Sequence, residues 1–166
     1  MADNTSYVAG VSTNGTTLSY GIETVAGQKP TKFTLLHRIN SIDEVTVEPE
    51  AIDASALEDK QTRNIAGRDT VTENYVVTVN KTDQTVKEWT DLISEAQTAK
   101  AAGKRVWFQE ITEGLTNAEF IVASPPARIP KTAKEQNGLL TMQMNCITDE
   151  LKGEDTAVTP TEHSGE

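Results

Sequence analysis

The sequence predicts a mainly β fold: an antiparallel β-sandwich or partly closed barrel with one flanking α-helix. Two observations predict this class. Between about residues 15 and 150, apolar residues mostly alternate with polar residues, which is the period of a strand with one buried face. One segment instead carries apolar residues at helical spacing. Many short strands with a single helix are typical of a sheet that has a helix packed on its flank.

Seven segments have the alternation expected of strands. They are residues 17–21, 32–36, 44–48, 74–80, 104–110, 118–123 and 139–148. The two faces of the last segment differ most clearly in polarity: Leu140, Met142, Met144 and Cys146 alternate with Thr141, Gln143 and Asn145. We expect the first face of this strand in the core and the second in contact with water or a partner.

Two adjacent aromatic residues, Trp107 and Phe108, lie in the fifth of these segments. Neighbouring side chains of a strand point to opposite faces of the sheet. We therefore expect one of the two in the core, and the other exposed and marking a contact surface.

One helix is predicted after the strand at residues 74–80. Its apolar stripe consists of Val86, Trp89, Leu92, Ile93, Ala96 and Ala99. Thr85 followed by Glu88 predicts a capping box at the start of the helix, and Gly103 predicts its end. We expect Trp89 to be the largest buried group of the stripe.

The length of 166 residues fits one domain. We expect a flexible N-terminal arm at residues 1–14, a β-sandwich domain at residues 15–152 and a flexible C-terminal tail at residues 153–166, because both ends have few large apolar residues. The N-terminus lacks the charged and apolar regions of a secretion signal, and every apolar run is short. We therefore expect no secretion and no association with a membrane.

Residues 49–72 form a long segment with weak periodicity. Leu57 is the large apolar residue at its centre, and acidic and basic residues surround it. Long loops inside compact domains are usually functional or disordered, so we expect an assembly loop that becomes ordered against a neighbouring subunit. The candidate interface residues are Asp53, Leu57, Glu58, Asp59, Arg63 and Arg68.

The composition argues against several kinds of binding site. A net charge of -10 disfavours a high-affinity site for a nucleic acid backbone. The single cysteine, Cys146, excludes an intramolecular disulfide and a four-cysteine zinc site, and we expect it to be buried as a small apolar residue. The sequence has neither a calcium-binding loop pattern nor a phosphate-binding glycine-rich loop. We expect no metal and no cofactor.

Catalysis also has little support in the sequence. His37 and His163 are far apart, and His163 falls in the expected tail. No Gly-x-Ser-x-Gly motif presents a nucleophile. Asp53, Glu58 and Asp59 could provide paired carboxylates for glycoside hydrolysis, but aromatic residues for stacking sugars make up only 5% of the chain. We expect that the protein is not an enzyme and that no residue is catalytic.

Residues 17–21, 41–59 and 65–69 together resemble the major tail tube proteins of long-tailed, siphovirus-like bacteriophages. The resemblance continues through the strand at residues 75–79, the helix at residues 86–102, the strand at residues 105–108 and the turn at residues 114–116 that leads into residues 120–123. It covers most of residues 15–152 and rests on packing and turn patterns.

The resemblance implies a protomer with one flanking helix that assembles into six-fold rings, which stack into a tube with a lumen for the viral genome. The type VI secretion tube has a similar fold. The implied partners are further copies of the chain, a tape-measure protein and tail terminator and initiator proteins, while DNA passes without specific binding. The implied location is the virion tail, assembled in the cytoplasm of the bacterial host. An acidic lumen wall would disfavour adhesion of phosphate.

An alternative of another class is a monomeric β-sandwich that binds a ligand, as an adhesion, carbohydrate-binding or decoration domain does. Such a protein would bind its ligand saturably and would not form rings. The sequence leaves this alternative open.

Overall fold

The computed structural model describes residues 9–163, which contain nine strands and one helix. In chain order the elements are β1 (Thr17–Ile22), β2 (Thr34–Leu36), β3 (Ile39–Ile42), β4 (Val47–Asp53), β5 (Asn64–Val71), β6 (Asn74–Asn80), α1 (Asp83–Ala101), β7 (Val106–Ile111), β8 (Asn117–Ser124) and β9 (Thr141–Thr156). Seven strands form one antiparallel sheet in the order β2-β1-β7-β8-β9-β6-β3, and β4 pairs with β5 alone.

The two edge strands of the large sheet are neighbours in sequence. Only His37 and Arg38 connect β2 to β3, so the ends of these strands lie within about 11 Å of each other. Arg38 has a φ of 57°, a left-handed conformation that turns the chain sharply between the edges. The sheet must therefore curl towards a barrel, although the described residues form no ladder that closes it. The predicted fold class, mainly β and antiparallel with one helix, is confirmed.

The main core lies between the concave face of the sheet and α1. Trp89 of the helix is fully buried and stacks on Phe108 of β7, with 6.3 Å between the ring centroids. Met142, Met144 and Cys146 of β9 belong to the same cluster, as the alternation in their segment predicts. Burial raises the pKa of the Cys146 thiol to about 12, so this thiol stays protonated at neutral pH.

The ends of α1 differ in part from the prediction. The N-cap is Thr82, whose hydroxyl accepts the Thr85 N–H at 3.2 Å, while the Thr85 hydroxyl accepts the Thr82 N–H at 2.8 Å. The predicted box of Thr85 with Glu88 is therefore wrong, because the helix begins one turn earlier. Gly103, with φ 74°, follows the C-cap residue as predicted.

The convex face of the sheet carries a second apolar cluster over β7 and β8. Trp107 and Phe120 are buried there, and Phe33 and Val158 pack against them. Gln109 is also buried, and its side-chain amide exchanges two hydrogen bonds of 2.8 Å with the backbone of Val158. The expectation that either Trp107 or Phe108 is exposed is wrong, because a chain segment distant in sequence covers the outer face.

That covering segment is the end of the described chain. β9 continues past residue 152 to Thr156, so the expected boundary of the tail lies inside a strand. Beyond it, Thr161 lies beside the edge of β2, donating its N–H to the Phe33 carbonyl and accepting the Leu35 N–H. Residues 157–163 thus extend along the sheet. The expected N-terminal arm lies outside the described residues up to residue 8, and residues 9–14 are exposed.

We expect Trp89→Ala to lower the free energy of unfolding by about 3–5 kcal/mol, because it leaves a large cavity between α1 and the sheet. Gln97→Ala, at an exposed position of the same helix, is the matched control and should change stability by less than about 0.5 kcal/mol. Chemical denaturation of both variants measures the difference. A Trp89→Ala variant as stable as the parent would contradict this packing.

Candidate functional site

The most prominent surface feature is the β4–β5 hairpin, which we call the arm (residues 47–71). It prolongs the β3–β6 pair at the edge of the sheet. The Asp43 N–H donates to the Val76 carbonyl at 2.9 Å, and the Thr46 and Thr72 hydroxyls then lie 2.9 Å apart at the base of the arm. The arm is therefore an extension of the sheet and not a loop, which corrects the prediction of a loop at residues 49–72.

No residue of the arm is buried. Two cross-strand pairs of large apolar residues lie along it, Val47 with Val71 and Ile52 with Ile65. The side chains of Ile52 and Ile65 are 48% and 57% exposed. Ile52 lies over Gly67, where a Cβ would come within 2.8 Å of its Cδ1. A hairpin that is exposed on both faces is only marginally stable in water. The exposed apolar pairs of the arm are therefore typical of a surface that a partner covers.

The turn of the arm is held by its own polar groups. The Asp53 carboxylate accepts the Ser55 N–H at 2.9 Å, and the Asp59 carboxylate accepts the Ala56 N–H at 2.8 Å. The Arg63 N–H donates to the Ser55 hydroxyl at 2.8 Å. These bonds fix the turn, at whose outermost point the Leu57 side chain is fully exposed.

The six predicted interface residues are thus split by the structure into two groups. Asp53, Leu57, Glu58, Asp59 and Arg63 lie together in the turn, which we call the tip (residues 53–63), whereas Arg68 lies in β5, nearer the base. Ile52 and Ile65 were not predicted from the sequence as part of this surface. The strand pattern around these two residues is weak, because Pro49 lies near Ile52 and Gly67 lies near Ile65, and both residue types are unfavourable in strands.

Asp53 lacks the property that an acid catalyst of glycoside hydrolysis requires. Hydrogen bonds from Ser55 lower the pKa of Asp53, whereas a general acid in glycoside hydrolysis needs a raised pKa. No group of three His, Cys, Asp or Glu side chains within residues 9–163 is arranged to hold a metal ion. In the same residues, no helix combines the length and apolar character that crossing a bilayer requires.

The outer face of β6 and β9 is the second candidate surface. Thr78, Gln143 and Asn145 lie along it, and Gln143 and Asn145 are exposed, as the alternation in β9 predicts. Residues 130–141 border it and form a depression of about 800 Å³. Ile147, at the end of the same row, is 58% exposed, and Leu139, which borders the depression, is 67% exposed. This half of the convex face is therefore open and of mixed polarity, unlike the half that Val158 covers.

Both histidines make structural contacts with acidic residues. His37 Nδ1 lies 2.6 Å from the buried Glu88 carboxylate of α1, and His37 Nε2 lies 2.8 Å from Glu162. Burial lowers the pKa of His37, but the bonds and charges of the two carboxylates outweigh it and the net pKa is raised. His163 lies 3.0 Å from Asp91, also on α1. The histidines therefore attach β2 and the end of the chain to the helix.

A buried carboxylate joins β1 to β7. Glu23 accepts the Arg105 N–H at 2.8 Å and the Trp107 indole N–H at 2.9 Å. Burial raises the pKa of this carboxyl, and the hydrogen bonds together with the Arg105 charge outweigh the effect, so the net pKa is lowered. Glu23 is thus a structural anion.

A row of three glutamates crosses the sheet near the base of the arm. Glu110, Glu119 and Glu154 are register partners on β7, β8 and β9. Glu110 accepts a hydrogen bond from the buried Tyr75 hydroxyl at 3.0 Å. Burial raises the pKa of Glu110 to about 7 and the Glu119 charge adds to this, although the bond from Tyr75 opposes it. Like charges directly opposite each other destabilise a sheet.

No protein-family model and no curated protein matches the sequence. Among solved structures, the chain is similar to one in the "Cryo-EM structure of the anti-feeding prophage (AFP) baseplate, 6-fold symmetrised". The TM-score is 0.52 with 11% sequence identity, over 89% of this chain and 96% of that chain. The two chains share a fold over nearly their whole length.

We expect Glu110→Gln to change the pH dependence of stability. In the parent, the folded state holds a proton on Glu110 up to about pH 7, whereas the unfolded chain loses it near its ordinary pKa of 4.5. This contribution to stability is present below pH 4.5 and is lost as the pH rises through 7. The stability of Glu110→Gln relative to the parent should therefore rise by about 3 kcal/mol between pH 4.5 and 8.

Unfolding titrations at several pH values test this expectation. Glu154→Gln, at the far end of the same row, should follow the parent, because its exposed carboxylate does not contact Glu110. Parallel curves for Glu110→Gln and the parent across this range would show that Glu110 titrates normally.

Proposed function

We propose that this protein is a structural, non-enzymatic component of a phage-tail-type particle and, more specifically, the repeating subunit of a tail tube. In this proposal the chains form six-fold rings that stack around a lumen through which the viral genome passes. The particle is assembled in the host cytoplasm, with tape-measure, terminator and initiator proteins as further partners. The observation that carries the proposal is the exposed, apolar arm on a sheet whose fold is shared with a baseplate chain.

The arm supports self-assembly through its exposed apolar side chains. Leu57 at the tip is fully exposed, and the paired Ile52 and Ile65 are 48% and 57% exposed, so the arm presents apolar surface that a partner can bury. Burying an exposed leucine contributes about 1.5–3 kcal/mol, so an arm seated on a neighbouring copy would stabilise each contact appreciably. A ring or stack repeats such a contact at every subunit.

The polar residues on the outer face of β6 and β9 support a wall in contact with water. Gln143 and Asn145 expose uncharged amides there. The net charge of -10 also disfavours adhesion of DNA phosphates to the assembled surface. Both properties suit a conduit for a polyanion.

A second candidate is a subunit of a baseplate, because the similar chain belongs to a baseplate structure. In that case the chain would form one or a few rings at the end of a tube and would not polymerise further. Electron microscopy of the purified chain at rising concentration separates the two, since extended hollow tubes indicate a tube subunit and discrete rings indicate a baseplate subunit.

We expect Leu57→Asp to leave the monomer folded but to reduce assembly strongly. The change puts a charge on a side chain that is fully exposed in the monomer and buried in the proposed contact. Light scattering and electron microscopy report assembly, and the melting temperature of the dissociated chain reports folding. Leu115→Asp, at an exposed leucine in the β7–β8 turn, is the matched control and should assemble like the parent.

If Leu57→Asp forms normal tubes or rings, the arm does not take part in assembly. A parent chain that stays monomeric and binds a glycan saturably would instead support the binding-domain alternative.

A further inference from the structure

A groove lies between the last turns of α1 and the end of β8, with a volume of about 360 Å³. Its floor is apolar and contains Ile93, Ala96, Val122 and the adjacent Pro125 and Pro126. Lys100 and Lys104 stand at its rim. The groove therefore combines an apolar floor with two cations.

The two lysines differ from the third cation of the groove in having no carboxylate partner among the described residues. Arg105, which also lines the groove, is paired with Asp149 at 3.0 Å and Glu150 at 3.1 Å. By contrast, neither Lys100 nor Lys104 has a carboxylate within 4.0 Å among residues 9–163. Unpaired ammonium groups beside an apolar floor suit a ligand with an apolar side chain next to a carboxylate.

The tip of the arm has this chemistry. Leu57 is fully exposed, and Glu58, which follows it, is exposed as well. The neighbouring Asp59 carboxylate is engaged within the turn by the Ala56 N–H and by Arg63. Leu57 and Glu58 are thus the apolar and anionic groups that the tip presents.

The sheet register shows that the tip and the groove of one chain are far apart. Ile147 of β9 pairs with Asn74, at the base of the arm, and with Ser124, which lines the groove. The groove therefore lies about two strand spacings, or about 10 Å, from the base of the arm. The seven-residue ladder of β4 carries the tip about 20 Å beyond that base. An arm held straight by its ladder does not reach its own groove.

We infer that the groove receives the arm tip of a second copy of the chain, with Leu57 on the apolar floor and Glu58 beside Lys100 and Lys104. This inference rests on the proposed function and names the surface that the arm contacts. The tip and the groove are different surfaces, so the contact is head-to-tail and leaves a free tip and a free groove at its ends. Such contacts repeat until a ring closes or a filament grows.

Disulfide trapping tests the contact directly. In Ala56→Cys/Ser124→Cys the new thiols lie beside Leu57 and in the groove, and oxidation with copper–phenanthroline should link successive chains into a ladder on a non-reducing gel. The native thiol does not interfere, because Cys146 is buried and its pKa is raised to about 12. Ala56→Cys/Glu113→Cys, with the second thiol past the other end of β7, is the matched control and should give no ladder.

The outcomes distinguish failure of the groove contact from failure of the proposed function. Assembled particles with no ladder from the Ser124 pair would overturn the groove and leave the tube proposal standing. A chain that never assembles and gives no ladder would overturn both. A ladder from the Ser124 pair alone supports the inference.

We expect charge reversal to test the same contact between the tip and the groove independently. Lys100→Glu/Lys104→Glu and Glu58→Lys should each weaken assembly at least about tenfold, because each places like charges together in the contact. Combining all three changes should restore assembly, with light scattering as the readout and melting temperature as the check on folding. Failure of the combined variant, while each component change alone weakens assembly, would contradict the pairing of Glu58 with these lysines.

Discussion

The two-residue connection between β2 and β3 constrains most of the structure. Because His37 and Arg38 join the two edges of a seven-stranded sheet, the sheet cannot lie flat. The same connection holds the helix, since the His37 backbone N–H and ring both bond to the buried Glu88 carboxylate. Its other ring nitrogen meets Glu162, so the end of the described chain is fixed at the same point.

The curvature separates the surfaces that remain available for contacts. The concave face is filled by α1 around Trp89, and part of the convex face is covered by residues 157–163. What stays open is the outer face of β6 and β9, the groove at the end of α1 and the arm. The protein therefore completes its own core, and the projecting hairpin exposes Val47, Ile52, Leu57 and Ile65, where a second molecule can reach them.

The sequence predicts elements well where one face is buried and poorly where burial depends on distant residues. The bounds of β6 were predicted correctly because Tyr75, Val77 and Val79 alternate with polar residues. β3 has no such alternation and was missed, and the exposed strands of the arm leave no pattern of burial to detect. The coverage of Trp107 depends on Val158, about fifty residues away, which local periodicity does not reveal. The candidate tip residues were predicted as a cluster from their charges and Leu57, but the hairpin that carries them was not.

The continuity between the arm and the sheet has a mechanical consequence. A pull on the tip passes along both of its strands into β3 and β6. There it is resisted by the seven residue pairs between β6 and β9, which run from Asn74–Ile147 to Asn80–Thr141. The strands run parallel to the force and their hydrogen bonds lie across it, so the bonds carry the load in shear and must break together, whereas bonds opened from one end break singly. In the proposed assembly, an arm built in this way would transmit tension from one molecule to the body of the next without unravelling.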